Sequence, residues 1–279
     1  MSSERQSQER AVAHAESPSK EELNSSLAGK HIRLASFNIQ TGIHTDSYRH
    51  YVTRSWQHLL PTNKRIHNLN RIGNLLRGFD IVGLQEVEGG GRRSDYIIQT
   101  EYLAHRAGFS FWHNHVNRRI GNHALHSNGI ISRLQPTSVT EHNLPGLPGR
   151  GALVVRFGDK RVSLVVCIIH LALGRRGRMR QIGFISDLIG HLPCVVLMGD
   201  LNCEPNTPEM NHLVANTRLC DPVADLKTFP SWRPQRKIDH ILVTPDLHAE
   251  NIRVLNFTCS DHLPIAIDIT LPDSIPLVA

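Results

Sequence analysis

The chain has 279 residues, of which 40% are hydrophobic and 20% charged, with 31 Lys and Arg against 25 Asp and Glu. That balance excludes a disordered or low-complexity polypeptide, and no apolar run approaches the roughly 20 residues that cross a bilayer as a helix. Its basic side is nearly all arginine, 25 Arg to 6 Lys, and arginine forks bind phosphate and carboxylate oxygens bidentately, a modest pointer to an anionic partner. The plain alternative is a merely basic protein.

Residues 1–29 are polar, carry almost no large apolar side chains and lack the apolar core of a secretory signal, so a disordered tail is expected there. From residue 30 to 279 no low-complexity linker intervenes, which predicts one domain and, with no sign of a partner, a monomer. Strands are expected over 31–39, 79–87, 110–116, 127–134, 151–157, 161–170, 193–200, 237–243, 251–257 and 264–271, where apolar and β-branched residues run together. Between them, Ile66, Leu69, Ile72 and Leu75 repeat at helical spacing, Ser94 is placed to cap a helix reaching Gly108, and 178–189 gathers Ile182, Ile185 and Ile189 on one face. Thr207-Pro208-Glu209 is a helix start. Such alternation implies an α/β or α+β domain. The five cysteines, Cys167, Cys194, Cys203, Cys220 and Cys259, are odd in number, lie mostly in apolar runs and form no C-x-x-C pair. They read as reduced core residues of a cytoplasmic chain.

Buried-looking strands stop at, or restart from, polar groups in six places: Asn38, Glu86, His170, Asp200 with Asn202, Asp239, and Asp261 with His262. Ionised carboxylates beside buried strands are costly unless paired or bound to a cation, and strand ends gathered at one sheet edge would bring all of these together. Hard carboxylate and amide oxygens suit Mg²⁺ or Mn²⁺, and the set offers the parts needed for in-line attack of water on phosphorus. Each residue alone has an ordinary alternative. Asn38 can shape a turn, Glu88 rivals Glu86, His170 can be a core histidine, Asp200 a cap, Asp239 a partner of Lys237 or Arg236, and Asp261 an Asx turn before Pro264.

The ordered segments LASFNIQTG, IVGLQEVEGG, SNGIISRL, GRGALVV, VVCIIHLAL, VVLMGDLNCEP, KIDHILV and CSDHLP resemble the endonuclease/exonuclease/phosphatase superfamily of metal-dependent phosphoesterases over residues 31 to about 271. The resemblance implies a four-layer sandwich, two packed mixed β-sheets with helices on both outer faces and the active site at one end. It also implies roles. Asn38 and Glu86 match metal-binding positions with Asp261 nearby, Asp200 the residue that orients water, and Asn202 a phosphate contact. His170 matches a donor to the scissile phosphate or leaving group, and Asp239 with His262 a carboxylate–histidine pair. Gln40 and His170 depart from the abasic-site endonucleases, which places the chain nearer the sphingomyelinase-like and deoxyribonuclease-like branches.

The substrate is less sharply marked. Arg175, Arg176, Arg178 and Arg180 follow His170 and are candidates to hold substrate oxygens, against a solvated helix start. Phe229, Trp232, Arg233 and Arg236 precede Asp239 on a Pro-punctuated loop suited to a substrate rim. Residues 40–62 and 117–127 are further rim candidates. The expectation is hydrolysis of a phosphodiester, ahead of a phosphomonoester, with nucleic acid favoured by the arginine excess, the alternatives being a phosphodiesterase or phosphatase of a phospholipid head group or phosphorylated small molecule, or a basic binding module without catalysis.

Overall fold

Each central strand here buries two faces in two different cores, and that requirement explains the near-continuous apolar runs of the sequence. The computed structural model describes residues 30–43, 63–121, 123–222 and 226–277. The polar tail and most of the 40–62 rim candidate lie outside the described residues. In chain order the elements are β1 (His31–Asn38), α1 (Asn63–Leu76), β2 (Ile81–Glu88), α2 (Gln99–Ala107), β3 (Phe111–Ile120), β4 (Ala124–Ser132), β5 (Ser138–Asn143), β6 (Gly151–Gly158), β7 (Ser163–His170), α3 (Arg175–Ile189), β8 (Val195–Asp200), α4 (Pro208–Ala215), β9 (Asp239–Val243), β10 (His248–Val254) and β11 (Ile265–Thr270). They form a six-stranded sheet, β10-β11-β1-β2-β4-β3, and a five-stranded sheet, β5-β6-β7-β8-β9. Both sheets are mixed: β1–β2 and β7–β8 are parallel, and their other neighbours antiparallel.

Three apolar clusters separate four layers. Between the sheets, Leu34, Ile81 and Ile130 from one meet Val155, Ile168 and Met198 from the other. One residue along each strand the side chains turn outward: Ala35, Val82 and Ile131 pack with Leu69, Ile72 and Leu103 of α1 and α2, and Cys167, Ile169 and Leu197 pack with Ile182, Ile185 and Leu213 of α3 and α4. Each fully buried aliphatic contributes about 1.5–3 kcal/mol, so the three cores can carry the cost of polar groups placed at their ends. The four-layer sandwich expected from the sequence is present. Among the described residues no helix is long and apolar enough to span a membrane.

The departures have local causes. β5 was not expected because SVTEHN holds one large aliphatic residue, as fits an exposed edge strand. β10 begins earlier than expected, and its pairing with β11 shifts register between Glu250 and Arg253. Ser94 does not cap α2; its hydroxyl lies 2.9 Å from Gly91 O and 3.0 Å from Ile97 O in a short 3-10 turn, and the helix starts at Gln99. α3 starts at Arg175, three residues earlier than periodicity indicates. Thr207 caps α4 by accepting from Met210 N, as its sequence predicts. Four cysteines are free and buried, whereas Cys220 is free but exposed, contrary to the core reading for that one.

Candidate active site

Strand register alone builds one side of the site. β7 and β8 run parallel with His170 opposite Asp200, and β9 runs antiparallel with Asp239 opposite Asp200, so three chemical side chains end three adjacent strands. Gly199 permits this approach: its φ is +146°, and a Cβ there would lie 1.9 Å from Ile169 O. The six-stranded sheet contributes differently. Asn38 ends β1 opposite Gln85, and between the pairs Leu84–Gly129 and Val87–Ser127 strand β2 carries two residues against one on β4. This bulge puts Glu86 at φ +54° and turns its carboxylate toward His170. Glu88, its sequence rival, is fully buried on other work: it accepts from Gly91 N and Leu125 N and pairs with Arg93.

Asp200 is the hub. Its Oδ1 accepts from Asn202 N at 2.9 Å, and its Oδ2 accepts from Asn38 Nδ2 at 3.2 Å and lies 3.4 Å from His170 Nε2 and 3.9 Å from His262 Nε2. His262 Nδ1 sits 2.9 Å from Asp239 Oδ2, which also accepts from Thr228 Oγ1. The Phe229 ring packs 4.9 Å from the His262 ring. His170 Nε2 is 4.0 Å from Glu86 Oε1, and Asp261 is buried with its Oδ1 accepting from Ser260 Oγ at 3.1 Å.

Arg150 settles the state of His170. A guanidinium only donates, and Nη1 of Arg150 lies 3.0 Å from His170 Nδ1, so Nδ1 is the acceptor and the ring proton sits on Nε2, facing Asp200. Burial, then the charges of Arg150 and His262, hold His170 well below the usual histidine range and keep it neutral. Burial opposes charge on His262 too, but Asp239, reinforced by Asp200 and Asp261, overrides it and raises the ring well above that range. Among the carboxyls, burial is the chief cause of upward shifts: Glu86 is raised with help from Asp261, Asp261 with help from Asp239, and Asp200 to about 7 with help from Asp239 and Glu86.

Three crowded carboxyls pushed upward form a donor set of hard oxygens suited to a divalent cation. Asp200, Asp239 and His262 bring one ligand atom each within 4.8 Å of one another. There, however, Asp239 Oδ2 already serves Thr228 and His262, and the His262 ring is held as a cation, so Glu86 is a freer oxygen donor, beside Asn38, whose Oδ1 accepts from Gln40 N at 3.1 Å, and Asp261, whose Oδ1 accepts from Ser260 Oγ.

The remaining sequence candidates are scattered by use. Asn202 Nδ2 donates to Leu171 O at 3.0 Å, tying the Asp200 loop to β7. Arg175 and Arg176 are exposed on the first turn of α3, while Arg178 is engaged by Glu209 at 2.7 Å and by Leu173 O. Arg236 pairs with Glu204 at 2.9 Å, Arg233 is exposed and Trp232 half-buried. Lys237 pairs with Asp221 at 2.7 Å, so neither predicted alternative partner takes Asp239. Sequence reasoning missed Arg150, Thr228 and Ser231, whose N and Oγ fix Asp261 O and Ser260 O. The Gly-Arg-Gly before a buried strand was the available signal for Arg150.

Beside the cluster opens a recess of about 450 Å³, lined by Glu86 and His170 together with Arg118, His126, Asn128 and Arg150. A two-sheet sandwich with acids, amides and histidines converging at one end defines a hydrolase of phosphate esters. The sequence matches the endonuclease/exonuclease/phosphatase family over residues 35–262, and the chain belongs to that family, whose members hydrolyse phosphate ester bonds. No curated protein shows significant sequence similarity to it. Among solved structures, an endonuclease/exonuclease/phosphatase from Beutenbergia cavernae superposes with a TM-score of 0.66 at 20% identity, covering 88% of this chain and 72% of that one. A mannosyl-6-phosphatase of Bacteroides thetaiotaomicron gives 0.65 at 17% identity over 86% and 100%. The human nocturnin catalytic domain with bound sulfate gives 0.64 at 17% over 87% and 94%. At these identities the likeness is one of fold.

Proposed function

We propose that the protein is a Mg²⁺- or Mn²⁺-dependent phosphodiesterase in which water attacks phosphorus directly. The observation that carries this reading is Asp200, a buried carboxyl raised to about 7 and held on both oxygens by Asn202 N and Asn38 Nδ2. A group so placed and so tuned accepts a proton near neutral pH. Water oriented by Asp200 forms the new P–O bond and gives its proton to that carboxylate while the opposite P–O bond breaks. His262, cationic on Asp239, stabilises charge on the non-bridging oxygens. Neutral His170 donates from Nε2 to the phosphate or the departing oxygen, and Asn202, whose Nδ2 also ties the Asp200 loop to Leu171 O, is the proposed phosphate contact. Glu86, Asn38 and Asp261 would hold the cation, which when bound supplies neutralisation of the phosphate oxygens.

Nucleic acid is the leading substrate because of the arginine excess, with Arg176 and Arg233 the exposed contacts; Arg178 and Arg236, and Arg175 at 3.9 Å from Glu209, support it less, being paired. A phosphorylated small molecule or lipid head group is the second reading, favoured by the walled recess of about 450 Å³. The test is hydrolysis of bis-p-nitrophenyl phosphate, DNA, RNA, sphingomyelin and inositol phosphates with and without Mg²⁺ or Mn²⁺. Asp200→Asn and His262→Ala should each lower kcat by roughly 10²-fold or more. Turnover that persists in EDTA, or none on any substrate, would sink the reading. Ligand binding unaffected by EDTA without turnover would favour a binding module.

A further inference from the structure

Several arginines of the molecule are neutralised by a carboxylate: Arg33 lies 2.9 Å from Asp80, Arg178 2.7 Å from Glu209, Arg236 2.9 Å from Glu204, and Arg93 pairs with Glu88. Arg118 and Arg150, which both line the recess, make no ion pair with a carboxylate among the described residues, although the charges of Glu86 and Asp200 act on Arg150. Among the described residues the Arg118 side chain has no hydrogen-bond or ion-pair partner, and Arg150 bonds only to His170 Nδ1. Among the described residues Glu86 is the one carboxylate lining the recess, and its oxygens belong to the proposed cation site.

Shape fixes this pair. A Cβ at Gly149 would come 3.1 Å from Arg118 Cδ, and one at Gly151 would come 2.1 Å from Asn117 Oδ1. Arg150 is therefore threaded between two close approaches to the β3–β4 hairpin that carries Arg118; burial disfavours its charge, Glu86 and Asp200 favour it, and Arg118 opposes it last. Asn128, 1% exposed and opposite the β2 bulge, also lines the recess; its Nδ2 donates to Gly151 O at 3.0 Å and its Oδ1 has no partner. His126 is pushed to about 4 by burial and by Arg93, with Arg118 and Arg150 adding, so it brings no positive charge of its own at neutral pH. The lips are uncharged: Leu147 and Leu173 are 86% and 75% exposed.

We infer that this recess is a second anion subsite, in which Arg118, with Arg150 at its inner end, receives a phosphate or carboxylate carried by the same substrate beside the scissile phosphate. It rests on the phosphoesterase reading for the scissile group. Two guanidiniums without an ion-paired carboxylate gain from a dianion, and the exposed Leu147 and Leu173 then lie against the uncharged body between the two anions. A second phosphate of this kind occurs in the adjacent nucleotide of a short oligonucleotide and in a doubly phosphorylated polyol.

The experiment compares p-nitrophenyl phosphodiesters of thymidine and of myo-inositol, each made with and without a second phosphate. In the wild type the second phosphate should raise kcat/KM about tenfold, mainly through KM, in one pair, and the responding pair identifies the source. Arg118→Gln should bring that ratio to about one, while Arg119→Gln, its equally exposed strand neighbour outside the recess lining, should keep it. A wild-type ratio near one in both pairs, or a ratio that survives Arg118→Gln, overturns the subsite. Calorimetric binding of the same compounds to Asp200→Asn, with and without Arg118→Gln, reads the subsite apart from turnover. If no compound is hydrolysed, the phosphoesterase reading fails, and a tenfold affinity gain that depends on Arg118 still supports the subsite; its absence overturns it.

Discussion

The two sheets reach the same site by opposite means. The five-stranded sheet delivers His170, Asp200 and Asp239 in plain register, one row across three regular strands. The six-stranded sheet delivers Glu86 through a bulge at φ +54°, with Asn38 at the strand end beside it. Regular strands place groups that must keep a fixed mutual geometry, and the irregular strand places a half-buried carboxylate at the recess. In the proposed function the difference separates proton handling from cation holding.

The sharpest way to break this contrast lies in adjacent glutamates. Glu88→Gln removes a buried charge from Arg93 and should cost about 3–5 kcal/mol, read as a lower denaturation midpoint. Glu86→Gln should leave stability within about 1 kcal/mol and lower activity at a fixed metal concentration by roughly 10²-fold. Equal stability losses would show that the bulged glutamate is structural.

Gly199→Ala probes the regular sheet. The new Cβ would meet Ile169 O and a φ of +146°, so a loss of about 2–4 kcal/mol is expected, together with displacement of Asp200 and lower kcat. Unchanged stability would mean that β7 and β8 separate at no cost.

A smaller effect couples pH to the cation. Asp200 rises from an ordinary value of about 3.9 to about 7, so its stabilising share is complete below the lower value and is lost as pH rises through the upper one. Glu86, Asp261 and His262 are shifted upward too and act in the same direction. His170 and His126 act oppositely, losing stability as pH falls below about 6.5. Added Mg²⁺ favours the ionised carboxylates, so it should raise Tm by more at pH 8 than at pH 5. A rise that does not depend on pH would place the cation away from these carboxyls.

The same contrast explains what the sequence made legible. His170, Asp200 and Asp239 stand at the ends of apolar runs, so their convergence follows once the strands align. Glu86 and Glu88 are both strand-end acids, and only the extra residue between Leu84 and Val87, invisible in composition, decides which one faces the site. Arg178 and Arg236 find partners 31 and 32 residues away, Glu209 and Glu204, so tertiary packing and not local pattern assigns them. Arg150 gains its role only where the β3–β4 hairpin closes on Gly149 and Gly151.

The most direct measurement is calorimetric titration of Mg²⁺ or Mn²⁺ into the wild type, Glu86→Gln and Asp239→Asn. The account predicts that Glu86→Gln weakens binding by about tenfold or more, whereas Asp239→Asn binds nearly as the wild type does and fails in turnover. Binding kept in Glu86→Gln and lost in Asp239→Asn would put the cation among Asp200, Asp239 and His262 and contradict the division of labour between the sheets.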